Sequence, residues 1–195
     1  MSFPNITIEL PAWVDGFLDP HTRYETEEAR MNLAIALAKQ NILAGTGGPF
    51  GAAVFNMNTG ELIAPGVNLV VPSQCAILHA EMVAIAVAQQ VLGTFDLGAP
   101  DCPPCALYTS AEPCAMCFGA VPWSGVRRLV CAARKEDVQA IGFDEGPKLA
   151  EWAVALEERG IQVARDVCRA EAVAALQSYA EGAGVIYNGR GAANL

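Results

Sequence analysis

Basic side chains are scarce in this 195-residue chain: 12 lysines and arginines stand against 21 aspartates and glutamates, a formal charge of −9 at pH 7. Gripping a nucleic-acid backbone takes a basic patch, and no lysine- or arginine-rich run exists, so no nucleic-acid partner is expected. Also missing is any uninterrupted run of about 18 apolar residues, the length a membrane-crossing helix needs. The opening Met1-Ser2-Phe3-Pro4-Asn5 has neither a basic region nor an apolar secretory core, so a cytoplasmic chain with reduced cysteines is expected. Charged residues make up only 17% against 53% hydrophobic, which excludes a disordered tail. At about 150 residues per domain the length implies one domain, residues 1–195, able to bury a core without staples.

The apolar pattern predicts an alternating chain. Residues 1–25 read as an irregular extension. Ala29, Leu33, Ala36, Leu37 and Leu43 recur at helical spacing between about Tyr24 and Leu43, behind Thr26 as a cap and Glu27 and Glu28 as an acidic first turn. Ala52–Phe55 and Glu61–Val71 read as strands around an Asn58-Thr59-Gly60 turn. Further helices are expected at His79–Val91, Cys114–Val121, Lys135–Ile141, Lys148–Glu158 and Arg169–Ala180. Strands are expected at Ala106–Thr109, Val126–Ala132 and Ile161–Ala164. Such alternation predicts an α/β domain with helices on both faces of a sheet. The glycine-rich residues 182–195 show little periodicity.

Histidine is rarer still than lysine plus arginine, with two in the chain, whereas cysteine is present as an odd seven. One histidine opens a predicted helix as His79-Ala80-Glu81, and Glu112-Pro113-Cys114-Ala115-Met116-Cys117 stands at a later strand-to-helix turn. One imidazole and two thiolates give zinc three protein ligands and leave a position for water, the arrangement of a catalytic site. Helix N-termini favour thiolates through their unpaired amides and positive dipole end. Zinc brings the pKa of a bound water toward neutrality, and Glu81, two residues past the histidine, is placed to move its proton. Together the two segments match the H-x-E…P-C-x-x-C pattern of zinc nucleobase deaminases.

A rival reading uses Cys102-Pro103-Pro104-Cys105 with Cys114 and Cys117 as a four-cysteine structural zinc knuckle. Against it, the eight-residue spacer is short for such ribbons, it is largely an apolar strand, and His79-Ala80-Glu81 would be unexplained. Cys75, Cys131 and Cys168 read as small packed hydrophobes.

From about residue 30 to 165 the chain resembles the cytidine-deaminase-like superfamily, through these motifs and through Gly47-Gly48-Pro49-Phe50-Gly51-Ala52, Asn68 and Leu107-Tyr108-Thr109-Ser110. The resemblance implies a three-layer α/β/α sandwich with a five-stranded mixed sheet and one zinc between two helix N-termini. Gly142-Phe143-Asp144-Glu145 is similar to an element of bacterial guanine deaminases, where tRNA-adenosine deaminases usually carry a small-residue loop. That similarity implies a zinc hydrolase of purine catabolism releasing ammonia from the free base guanine, with hydroxylated aminotriazines such as ammeline as further substrates. Cytosine, a pterin or tRNA adenosine remain the alternative substrates.

By the same resemblance His79, Cys114 and Cys117 hold the metal, while Glu81 and Glu145 are the two proton shuttles. Asn68 hydrogen-bonds the purine, with Ala80 and Asp144 beside it, and Phe50 and Trp123 pack against the base plane. A homodimer is implied, its C-terminal segment 182–195 serving as a lid, in some relatives exchanged between chains, with Tyr187 as the closing residue.

Overall fold

A computed structural model describes residues 3–19 and 22–189. Five strands form one sheet in the order β2-β1-β3-β4-β5: β1 (Gly51–Asn56), β2 (Leu62–Val67), β3 (Cys105–Ala111), β4 (Arg128–Ala133) and β5 (Gln162–Ala164). β1 runs antiparallel to both β2 and β3, while β3, β4 and β5 are parallel. This is the mixed five-stranded sheet of a cytidine-deaminase-like sandwich, as expected.

The strand sequences explain the two covered faces. Along β1, Ala53 and Phe55 enter one core and Ala52 and Val54 the other; along β3, Ala106 and Tyr108 oppose Cys105 and Leu107; along β4, Val130 and Ala132 oppose Leu129 and Cys131. Period-two alternation with apolar residues at both phases is what a sheet covered on both sides requires. Helices α2 (Glu27–Leu43) and α7 (Arg169–Glu181) contribute to the first core. Helices α3 (Ala80–Leu92), α4 (Ala115–Ser124) and α6 (Trp152–Glu157) contribute to the second. A short α5 (Lys135–Ala140) follows β4.

Three boundaries depart from expectation, each for a local reason. The extension 1–25 is not wholly irregular: Trp13–Phe17 forms one helical turn, α1, with Val14 1% exposed. The second strand stops at Val67, because the Asn68 Oδ1 accepts the Val70 backbone N–H at 3.2 Å and turns the chain. The helix expected from Lys148 starts only at Trp152, because Lys148 closes a turn, its N–H bonded to the Gly146 carbonyl at 2.9 Å, and its side chain is drawn inward. Thr26, by contrast, caps α2 as read, its hydroxyl accepting the Ala29 N–H at 3.0 Å. No helix among the described residues is long and apolar enough to cross a membrane. Of the C-terminal segment, residues 190–195 lie outside the described residues.

Helix α3 can lie close to β2 because Gly66 has no side chain. A Cβ there would sit 2.3 Å from the Ala80 carbonyl oxygen and 2.6 Å from the Ala84 nitrogen, both backbone atoms in the first turns of α3. Gly66→Ala is therefore expected to destabilise the fold by about 1–3 kcal/mol, read from the urea midpoint, and to weaken metal retention because α3 carries His79.

Candidate metal and active site

Two helix starts make the centre. His79 is the N-cap residue of α3 and Cys114 that of α4, both in extended backbone conformation, and neither side chain caps its own helix. Each is thereby free to face the other. His79 Nδ1 lies 3.5 Å from Cys114 Sγ and 3.6 Å from Cys117 Sγ, and one ligand atom from each residue falls within 4.8 Å of the others. Zinc–sulfur bonds of about 2.3 Å and zinc–nitrogen bonds of about 2.05 Å at the tetrahedral angle predict a nitrogen–sulfur edge of roughly 3.6 Å. The three residues fit zinc.

The local electrostatics agree with a cation-binding cluster. Hydrogen bonding from Cys117, helped by His79, holds the Cys114 thiol down to about 4, and the same pairing pushes the Cys117 thiol up. Burial opposes the charged form of His79, but the bond to Cys114 and the charges of Glu81, Cys114 and Glu145 raise it overall. The cluster thus holds negative charge that a metal would neutralise.

Beside it opens a cavity of about 180 Å³, lined among others by Phe50, Asn68, His79, Glu81, Cys114, Asp144, Glu145 and Tyr187. Two carboxyls line it that are nearly sealed from bulk water, Glu81 at 8% and Glu145 at 6% exposed. Burial is the main cause that lifts both above the usual carboxylate range, reinforced by the Cys114 charge, and Glu145 reaches about 8. Three buried polar atoms of the lining have no hydrogen-bond partner: Asn68 Nδ2, Glu145 Oε2 and the Tyr187 hydroxyl. Orphaned groups of this kind are costly unless a ligand satisfies them. They aim at one space.

Asn68 is held by a relay that composition and motifs do not reveal. The fully buried Asn41, in the last turns of α2, donates from Nδ2 to the carbonyls of Asn68 and Gly48, each at 3.0 Å. Its Oδ1 accepts the Thr46 hydroxyl at 2.7 Å, and that hydroxyl oxygen accepts the Trp13 indole N–H at 2.9 Å. Gly47 makes the approach possible, since a Cβ there would lie 1.9 Å from the Asn68 carbonyl oxygen. The N-terminal extension thus reaches the cavity through three hydrogen-bonded side chains.

The far wall is aromatic. Phe143 packs edge-on to Phe50 at 5.1 Å and to Tyr187 at 4.9 Å between ring centroids. The Asn188 side chain brackets Phe143, accepting the Asp144 N–H and donating to the Gly142 carbonyl, both at 2.9 Å. Tyr187 lines the cavity of its own chain, and Asn188 fastens the same segment to the Glu145 loop. Asp144 lines the cavity, but its carboxylate accepts the Gly146 N–H at 2.9 Å and shapes that loop.

Two expected substrate contacts are not brought here. Trp123 is 86% exposed in the last turn of α4 and does not line the cavity. Ala80 is 1% exposed and packs into the core shared by α3 and the sheet. The four-cysteine alternative also falls: Cys105 starts β3 and Cys114 follows its far end, and seven strand residues at about 3.3 Å each separate the two pairs by roughly 20 Å. Among the described residues the one grouping of metal-ligating side chains is His79, Cys114 and Cys117. Ser110, whose hydroxyl accepts the Gly51 N–H at 3.1 Å, Phe143, Asn188 and Gly189 join the lining without having been singled out as binding residues from sequence.

Known proteins are similar to this chain in sequence and in fold. The family model described as the cytidine and deoxycytidylate deaminase zinc-binding region matches residues 24–133. The guanine deaminase of Bacillus subtilis is 40% identical over 134 residues, 69% of this chain and 81% of that protein. A solved structure of the guanine deaminase from Nitrosomonas europaea superposes with a TM-score of 0.87 at 50% identity, covering 91% of this chain and 97% of that one. A further structure, solved in complex with 2,6-diaminopurine, gives a TM-score of 0.87 at 52% identity over 94% of this chain and 97% of that one.

Asn41→Ala takes the side-chain donor from the buried Asn68 carbonyl, while the Gly48 carbonyl keeps the Phe50 N–H at 2.9 Å. It is expected to cost about 1–3 kcal/mol of stability, read from the midpoint of denaturant unfolding.

Proposed function

This chain belongs to the cytidine and deoxycytidylate deaminase zinc-binding family, among its guanine deaminases, and is a zinc-binding hydrolytic deaminase; we propose that it converts the free base guanine to xanthine and ammonia through Glu81 and Glu145. The observation that carries the assignment of the two shuttles is the pair of buried carboxyls, both shifted upward, flanking the His79-Cys114-Cys117 cluster in one small cavity. A carboxyl poised near neutrality can both take and return a proton.

Zinc, when bound by His79, Cys114 and Cys117, supplies a water ionisable near neutral pH. Glu81 takes a proton from the attacking water and delivers it to ring nitrogen N3 as the new C2–O bond forms. Glu145 protonates the amino group on C2, the C2–N bond breaks and ammonia leaves, and the proton of the new C2 hydroxyl passes to the two carboxylates as the C2 carbonyl forms, which restores the proton of Glu145. The Asn68 Nδ2 donor, fixed by the Asn41 relay, pairs with an acceptor on the purine edge, and Phe50 and Phe143 face the base. Tyr187 excludes bulk water.

Cavity size supports a free base over a nucleoside or a tRNA loop: about 180 Å³ lies below the roughly 300–1,000 Å³ of pockets for drug-sized ligands. A hydroxylated aminotriazine such as ammeline presents a similar amino–carbon–nitrogen edge, and ammonia release from it is part of the proposal. The seven cysteines are all unpaired, which supports a reducing, cytoplasmic setting.

Glu81→Gln is expected to retain one zinc per chain by elemental analysis and to lose guanine turnover by about 10²–10⁴-fold. Because Glu145 must donate, activity should fall on the alkaline side as its carboxyl, lifted by burial above the usual carboxylate range, loses the proton, and Glu145→Gln should lower turnover and abolish that limb. Activity on guanosine or cytosine with none on guanine, in a panel of free bases and nucleosides followed by ammonia release, would overturn the substrate.

The exposed Trp123 fits a second role. Its segment is joined to that of Phe95, 87% exposed, by the Leu97 N–H to Ser124 carbonyl bond of 2.9 Å. This apolar face supports a homodimer, and Trp123→Asp is expected to shift the sedimentation coefficient to that of a monomer. Exchange of the C-terminal segment within such a pair would seat Tyr187 of one chain in the cavity of the other.

A further inference from the structure

Lys148 is a buried cation that the reaction as derived does not use. Its side chain is 2% exposed, and it does not line the cavity. Burying an ammonium is expensive unless each N–H finds a partner. Here three partners surround it: Nζ donates to the Pro113 carbonyl at 2.8 Å, pairs with Glu112 Oε2 at 3.4 Å, and stands 4.7 Å from the centroid of the Trp152 ring. Glu112, also 3% exposed in its side chain, is held from its other oxygen by Arg165. Arg165 lies just past β5 and over the same Trp152 ring.

What Lys148 joins is specific. Pro113 immediately precedes the metal ligand Cys114, and Lys148 lies three residues after Glu145. The two segments are fastened at a second point, where the Ala115 N–H donates to the Glu145 carbonyl at 2.9 Å. Between these fasteners the loop turns at Gly146, with φ of 67°, where a Cβ would lie a tight 3.1 Å from that of Ala115. Glu145 therefore cannot shift against the Cys114 turn without breaking one of the two links. A compact ammonium with three divergent donors suits this junction, where the flat fork of an arginine does not.

We propose that Lys148 is a positioning residue, whose buried ammonium, by bonding the Pro113 carbonyl and Glu112, holds the Glu145 carboxyl in register with the metal-bearing turn. The inference rests on the reading of Glu145 as the second proton shuttle. Small displacements of a shuttle are costly in rate, so Lys148→Met, loaded with one zinc and folded by circular dichroism, should lose on the order of 10- to 100-fold in kcat for guanine with KM nearly unchanged. Placed on Glu145→Gln, the same substitution should cost little more, because the two residues act through one step. Lys148→Gln, which keeps an N–H toward the Pro113 carbonyl, should fall between Met and the parent, and it carries the same cycle if the Met variant does not fold. An unchanged kcat, or an equal loss in both backgrounds, overturns the proposal. Should Glu145→Gln alone leave guanine turnover intact, the shuttle reading fails instead. Lys148 is then judged on the turn alone, by zinc release to a chelator: several-fold faster release in the Met variant retains its link to Cys114, and parental release removes it.

Discussion

Everything in the site depends on two helices that begin at the same point in space with their cap positions given away. An N-cap side chain ordinarily satisfies an amide of its own helix, worth about 1 kcal/mol. Here both cap positions are held by residues that make no such bond, His79 on α3 and Cys114 on α4. Their side chains meet across 3.5 Å instead. Both helices direct the positive ends of their dipoles at one spot, where thiolate charge is favoured. The sheet makes this convergence possible. β2 and β3 lie on either side of β1, and each leads through a loop or turn to one of the two helices on the same face. Gly66 lets α3 approach closely enough for the two starts to touch.

From that constraint the acid–base chemistry follows by burial. Glu81 sits in the first turn of α3, so fixing His79 fixes it as well. Glu145 arrives from a loop after β4 and α5 and is clamped to the first residue of α4 through the Ala115 N–H. Two carboxyls close to a thiolate and shielded from water cannot both be charged at little cost. Both are accordingly pushed toward the neutral form, and a bound dication would pull in the opposite direction. The site is tuned by opposition between desolvation and the charges next to it, including Lys148, whose ammonium favours the ionised form of Glu145.

What could be read from sequence was what depends on neighbours along the chain. The apolar phases of β1, β3 and β4, the Thr26 cap and the spacing of His79, Glu81, Cys114 and Cys117 are local signals, and each led to its element or its cluster. Asn41 and Lys148 are different. Asn41 is a polar residue inside a helix that carries no motif, yet its partners are Gly48, Asn68 and Thr46. Lys148 reads as the start of a helix, and its partners come from the turn between β3 and α4 and from α6. No periodicity encodes such contacts. Trp123 failed for another reason: α4 reads AMCFGAVPWS, apolar on every side, so its sequence does not say which face turns inward.

The network behind the metal turn gives Glu112, the residue before Pro113-Cys114, a structural task. Glu112 lines the cavity, but both of its oxygens are already engaged by Arg165 and Lys148. It faces the site while bonded to the scaffold. Removing one member of a buried ion cluster leaves the others uncompensated, at about 3–5 kcal/mol, so the cluster resists piecemeal change. Arg165 follows β5, Trp152 opens α6 and Lys148 follows the Glu145 loop. The part of the chain beyond the 24–133 zinc-binding region thus grips that region from behind at Glu112, while Glu145 and Tyr187 reach round to its front. In this chain the metal-ligand turn and the segments that follow β4 are fastened together at the Glu112 carboxylate, the Pro113 carbonyl and the Ala115 N–H.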